Sequence, residues 1–139
     1  MQPTVILFPV FVQVALTIGL LIVLNRTRSA SMREHGQALT DTDVELGQNA
    51  WSPAAIKASR SYTNQFELPV LFYAVVAFAM ITRTIDVLML ALAWIFVIAR
   101  IVQAAIHIGP NVIAWRASAF IVGLVAVVAM WVKLAIHIL

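Results

Sequence analysis

Seven polar side chains between positions 60 and 116 have the types and spacing to do chemistry: Arg60, Asn64, Glu67, Arg100, Gln103, His107 and Arg116. Arg60, Asn64 and Glu67 stand at i, i+4 and i+7, which puts them on one face of a helix. Arg100, Gln103 and His107 follow at i, i+3 and i+7 and share a face in the same way. Arginine grips carboxylates through paired hydrogen bonds, and neighbouring amide or imidazole groups add further polar contacts. Three arginines to one acid, among hydrogen-bonding neighbours, make a site for an anionic ligand. Other chemistries have less support. The chain has no cysteine, so disulfides, thiolate metal sites and a cysteine nucleophile are ruled out. Its histidines, His35, His107 and His137, are scattered without metal-ligand spacing.

The elements that position these residues are helices in a bilayer. Of the 139 residues 63% are hydrophobic and 11% charged, and the mean hydropathy is +0.97. Soluble domains carry about 25% charged residues, so composition excludes an ordinary water-soluble fold. A membrane-crossing helix takes roughly 20 mostly apolar residues. Such stretches fall at about 5–24, 53–82, 87–108 and 113–138. The expectation is one all-α integral membrane domain over residues 1–139, a four-helix bundle with no room for a soluble catalytic domain. The net charge of +3 sits mostly at segment ends, which speaks of membrane orientation rather than nucleic-acid binding.

The first apolar run, Val5 to Leu24, lacks the basic start and small-residue cleavage site of a signal peptide. It reads as a retained helix ended by Asn25, Arg26, Thr27 and Arg28. Residues 29–52 are polar and read as a solvated linker, or alternatively as a lid over a site. Ser52 followed by Pro53 is a helix start signal. Helix 2 begins polar and turns apolar at Leu68, and Pro69 bends it just after Glu67. Gly109, Pro110 and Asn111 form a tight turn before the fourth helix. Arg83 and Asp86 read as solvated turn charges, and Lys133 and His137 as side chains that snorkel to the far surface. Basic residues crowd the first loop and its flanks, and Arg116 follows the third. The positive-inside rule therefore puts loops 1 and 3 in the cytoplasm and both termini outside.

A charge in hydrocarbon costs at least about 2.5–3.5 kcal/mol. The polar side chains of helices 2 and 3 must therefore face one another, a cavity or a ligand. The simplest pairing joins Glu67 to Arg100 as a structural ion pair. Arg60 and Arg116 then have no acid inside the membrane, and Asn64, Gln103 and His107 offer more polar capacity than one pair uses.

The run Arg60-Ser61-Tyr62-Thr63-Asn64-Gln65-Phe66-Glu67-Leu68-Pro69 resembles the helix 2 signature of the MAPEG family, the membrane-associated proteins of eicosanoid and glutathione metabolism. There an arginine precedes Asn-x-x-Glu, and a proline follows soon after. Arg100 in helix 3 and Arg116 opening helix 4 look like the family's layout. The resemblance implies a homotrimer with glutathione bound between subunits near the cytosolic side. It implies that Arg60, Asn64 and Glu67 hold the glutathione backbone and its charged ends, and that Arg100 supports Glu67. Gln103 and His107 would line the same pocket, Arg116 would stabilise the thiolate, and Arg26 or Arg28 would close the pocket from helix 1. His107 stands where several family enzymes carry a tyrosine, and Tyr62 where some carry a histidine. Ala117 and Phe120 lack hydroxyls found in some members.

The leading expectation is a glutathione-binding transferase or peroxidase of a bacterial inner membrane, acting on lipophilic small molecules. The rival reading is a non-catalytic membrane scaffold or partner-binding protein that keeps the fold. A small exporter of cationic compounds is a third. It would need a carboxylate in helix 1, where the polar members are Gln13 and Thr17.

Overall fold

Hydrocarbon offers no water to a peptide group, so a chain crossing it must close its own hydrogen bonds as a helix. The computed structural model, which describes residues 2–35 and 51–139, does so in four apolar spans: Pro3–Glu34, Pro53–Ile81, Val87–Ile108 and Ile113–Ile138. Its helices are α1 (Leu7–His35), α2 (Pro53–Thr63), α3 (Leu68–Ile81), α4 (Val87–Ile108) and α5 (Ile113–Ile138). A 3-10 turn, Pro3–Ile6, leads into α1, and a second, Asn64–Phe66, stands between α2 and α3 inside the second span. No strand occurs among the described residues.

Helix α1 passes the Asn25–Arg28 cluster and continues to His35. Arginine is a good helix former, so this cluster ends the apolar span without ending the helix. The Thr27 hydroxyl bonds back to the Val23 and Leu24 carbonyls, each at 3.0 Å. The first part of the stretch read as a loop is therefore helical. Residues 36–50, on which the lid reading falls, lie outside the described residues.

The start of α2 is capped by Ser52, whose hydroxyl accepts from the Ala55 amide at 3.3 Å. The Ser52 amide itself donates to the Ser31 hydroxyl at 2.9 Å, and the Arg28 guanidinium lies 5.3 Å from the centre of the Trp51 ring. These contacts pin the end of α1 to the start of α2.

The second span is broken where proline foretells it. Pro69 removes a donor at the start of α3, and the chain passes through the Asn64–Phe66 turn to Glu67, at φ −97° and ψ −100°. The break turns Glu67 outward, where it is exposed.

At the opposite end of the bundle Asp86 is more than a solvated turn charge. Its carboxylate caps α4 by accepting from the Met89 amide at 2.9 Å and meets Lys133 Nζ of α5, also at 2.9 Å. The Met89 hydrogen bond first, and Lys133 after it, hold this carboxyl below the usual carboxylate range. Lys133 therefore bridges two helices rather than merely snorkelling.

The core lies between α3, α4 and α5. Phe72 stacks on Phe96 with ring centroids 4.5 Å apart, and Val75, Val76, Met89, Val97, Val127 and Met130 pack around them. Gly123 lets α5 approach α4 closely: a Cβ there would lie 3.7 Å from Ala99 Cβ and 3.8 Å from both Arg100 Cδ and Phe96. Such packing, rather than water exclusion, drives association between helices in lipid. Phe8, Phe11, Ile18, Ile22, Ile81, Val125 and Ile136 point outward, as a lipid-facing surface requires.

Candidate ligand-binding site

The end of the bundle away from Asp86 holds an open hollow of about 400 Å³ lined by Ser59, Arg60, Thr63, Asn64, Glu67, His107 and Arg116. Four elements build it. Helix α2 supplies Ser59, Arg60 and Thr63, the broken turn supplies Asn64 and Glu67, and the facing ends of α4 and α5 supply His107 and Arg116. Five of the seven residues that the spacing singled out thus meet in one place. Ser59 and Thr63 are additions to that set; Thr63, three residues after Arg60, falls on its helical face, whereas Ser59, its neighbour in sequence, does not.

Arg100 and Gln103 are buried beside the hollow rather than lining it. Arg100, 1% exposed, does not close an ion pair with Glu67. Its Nη2 donates to the Asn64 carbonyl at 2.7 Å, and its Nη1 donates to the Gln103 side-chain oxygen. The broken turn explains the difference, because it carries the Glu67 carboxylate away while presenting a backbone carbonyl to α4. Among the described residues, the ion pair within 4 Å is Asp86–Lys133 at the far end. Arg100 therefore keeps a positive charge with no carboxylate in contact, directly behind the Asn64 wall.

A second buried network braces the same wall from α1. Gln13 Nε2 donates to Gln65 Oε1 at 2.9 Å, and Gln65 Nε2 donates to the Ser61 carbonyl at 3.1 Å. Both glutamines are buried. The sequence signal was present: Gln13 is a lone amide in a long apolar run, and such a residue normally faces a partner helix. At the rim, Asn64 Nδ2 stands 3.5 Å from His107 Nδ1, and Lys57 Nζ donates to the Gly109 carbonyl at 3.4 Å. Arg116 Nη1 donates to Asn111 Oδ1 at 2.9 Å. The hollow is thus edged by two arginines and one exposed carboxylate, with amide, hydroxyl and imidazole groups between them.

A chain with four bilayer-length helices and a polar hollow at one end of them is a polytopic helical membrane protein. The MAPEG family model matches residues 6–136, so the chain belongs to the MAPEG family, whose members include glutathione transferases and related membrane proteins. No curated protein and no solved structure matches it.

Proposed function

We propose that this protein binds glutathione in the hollow and activates its thiol toward lipophilic electrophiles or hydroperoxides dissolved in the membrane. The observation that carries the reading is the convergence of Arg60, Asn64, Glu67, His107 and Arg116 on one open polar hollow at the end of the spans. The residues fit the ligand. Glutathione carries carboxylates and an ammonium group at its two ends, joined by amides. Arg60 suits a carboxylate, Glu67 suits the ammonium, and Asn64 and His107 suit the amide backbone. Arg100 and Gln103 support from behind by fixing the Asn64 wall.

Arg116 is the residue for the sulfur. A thiol of pKa about 8.5 is mostly protonated at neutral pH, and the thiolate is the nucleophile. Lowering that value by about two units takes roughly 2.7 kcal/mol of differential stabilisation. A guanidinium donating to the sulfur in a partly desolvated site is of that size. The proton leaves through the open side of the hollow to water. The thiolate then forms a carbon–sulfur bond with the electrophile reaching it from the lipid. The bonding pair leaves with the displaced group or, for an activated alkene, passes to a carbon that water protonates. Toward a hydroperoxide the thiolate attacks the outer oxygen, and the O–O bond breaks to release the alcohol. A second glutathione then displaces water from the sulfenic acid to give the disulfide.

The proposed assembly is a homotrimer in a bacterial inner membrane, with loops 1 and 3 cytoplasmic and each hollow closed by a neighbouring subunit. Arg26 is the better closing residue on α1. Arg28 is engaged with Trp51 and, at 3.5 Å, with the Ser59 hydroxyl, whereas Arg26 is exposed in a basic hollow with Asn25, Ser29 and Arg33.

The test is a glutathione titration of the purified protein in detergent, read by thiolate absorbance in the far ultraviolet, beside Arg116→Ala. A saturable signal that the variant lacks while still folding supports the reading. Absence of binding by the folded wild type would sink it and leave the scaffold reading in its place.

A further inference from the structure

The loop between α4 and α5 does more than reverse the chain. The geometry points to Asn111 as the positioning residue of the hollow: its neutral side-chain carbonyl fixes the Arg116 guanidinium and leaves the charge on that arginine uncompensated. This rests on the reading of the hollow as an anion site that activates a thiol.

Asn111 stands in the left-handed region, φ 53°, which asparagine tolerates better than most residues. Its amide donates to the Ile106 carbonyl at 2.7 Å, closing the end of α4. Pro110 stiffens the turn from one side, and Lys57 grips the neighbouring Gly109 carbonyl. Gly109 itself has no room to change, since a Cβ there would meet the Ala105 carbonyl oxygen at 2.9 Å. From this fixed loop the Asn111 carbonyl reaches Arg116 Nη1 at 2.9 Å. One guanidinium donor is occupied, and the others stay available to the hollow, which Arg116 lines and Asn111 does not.

The choice of amide over carboxylate is the informative part. An aspartate at this position would hold the arginine as well or better, but its charge would cancel the field that favours an anion. Among the described residues no carboxylate lies within 4 Å of Arg116. The lining of the hollow has Glu67 as its acid, and this side chain is exposed. Asn111 therefore orients without neutralising.

Two substitutions separate these effects. Asn111→Gly keeps the left-handed backbone and removes the acceptor. Asn111→Asp keeps the acceptor and adds the charge. The first readout is the guanidinium signals of Arg116 in nitrogen-15 spectra of the detergent-solubilised protein, assigned by their loss in Arg116→Lys. We expect resolved, slowly exchanging signals in the wild type and in Asn111→Asp, and averaged signals in Asn111→Gly. The second readout is the pH at which half the glutathione thiolate absorbance develops. It should rise by about one unit or more in Asn111→Asp, although the guanidinium stays held.

Averaged Arg116 signals in the wild type, or signals unchanged by Asn111→Gly, would overturn the positioning role whether or not glutathione binds. An unshifted pH midpoint in Asn111→Asp would overturn the role of neutrality. A wild type that holds Arg116 but forms no thiolate would refute thiol activation, and with it the use proposed for Asn111, leaving a loop-stabilising contact alone. Thermal unfolding of both variants, expected to match the wild type closely, separates these results from misfolding.

Discussion

Replacing Arg100 tests how the buried charge behind the hollow is satisfied. Its guanidinium makes two hydrogen bonds, to the Asn64 carbonyl at 2.7 Å and to Gln103, and a hydrogen bond involving a charged group contributes about 1.5–3 kcal/mol net. Arg100→Ala should therefore destabilise the fold by about 3–6 kcal/mol, before any penalty for the space left beside Gly123. Glu67→Gln should cost under about 1 kcal/mol, because an exposed carboxylate in no ion pair has little to lose. The assay is reversible unfolding in mixed micelles, followed by tryptophan fluorescence, with double-mutant cycles for Arg100 with Glu67 and Arg100 with Gln103. The Gln103 cycle should show the larger coupling. If Glu67→Gln itself cost about 3–5 kcal/mol, and that cost vanished in the Arg100→Ala background, the two would be a true buried pair. The broken turn would then not separate Glu67 from Arg100.

Two further predictions concern the ends of the bundle. Gln13→Leu leaves Gln65 Oε1 without its donor and should cost about 1–3 kcal/mol in the same unfolding assay. The double change with Gln65→Leu should recover most of that loss, since replacing both partners by apolar groups can be nearly neutral. Asp86→Ala removes a helix cap and an ion pair and should cost about 1 kcal/mol, the usual value of an N-cap. The folded state lowers the Asp86 carboxyl below its ordinary 3.8, so its contribution is fully present above that pH. It is lost as the pH falls below 3.8 toward the lower folded value, and an acid unfolding series on wild type and Asp86→Ala should converge there.

What the sequence made legible was whatever depends on one segment at a time. Hydropathy located the four spans, Ser52 and Pro53 marked a helix start, and Pro69 marked the break. The Arg60–Asn64–Glu67 face was read on the assumption of an unbroken helix. All three residues line the hollow, but the 3-10 turn leaves the Glu67 side chain exposed and out of contact with Arg100. Of the two partners of Arg100, Gln103 shares its helix face and was legible, while the other is a backbone carbonyl made available by a break in a different helix. Charge counting sees side chains only, so it offered Glu67 instead. Gln13 and Gln65 were missed as a pair for a related reason, since neither residue alone says which helix will face it. Asn111 was visible as a turn residue, while its second role depends on the geometry by which Arg116 folds back on the loop.

The broken second span also bears on how the protein enters its membrane. The most apolar 18-residue stretch of that span has the lowest mean hydropathy of the four, 1.5 against 2.6, 2.2 and 2.5, and the span as a whole carries Lys57, Arg60 and Glu67. Charged residues raise the cost of partitioning from the insertion channel into lipid by a few kcal/mol each when deeply placed. The segment that supplies much of the hollow is thus the one least able to partition alone. Its carbonyl at Asn64 is met by Arg100 of the third span, which has its own charge to shelter during biogenesis. Each of these two segments masks the polar groups of the other, so lateral release should favour them as a pair, and assembly of the hollow and integration into the bilayer become one event.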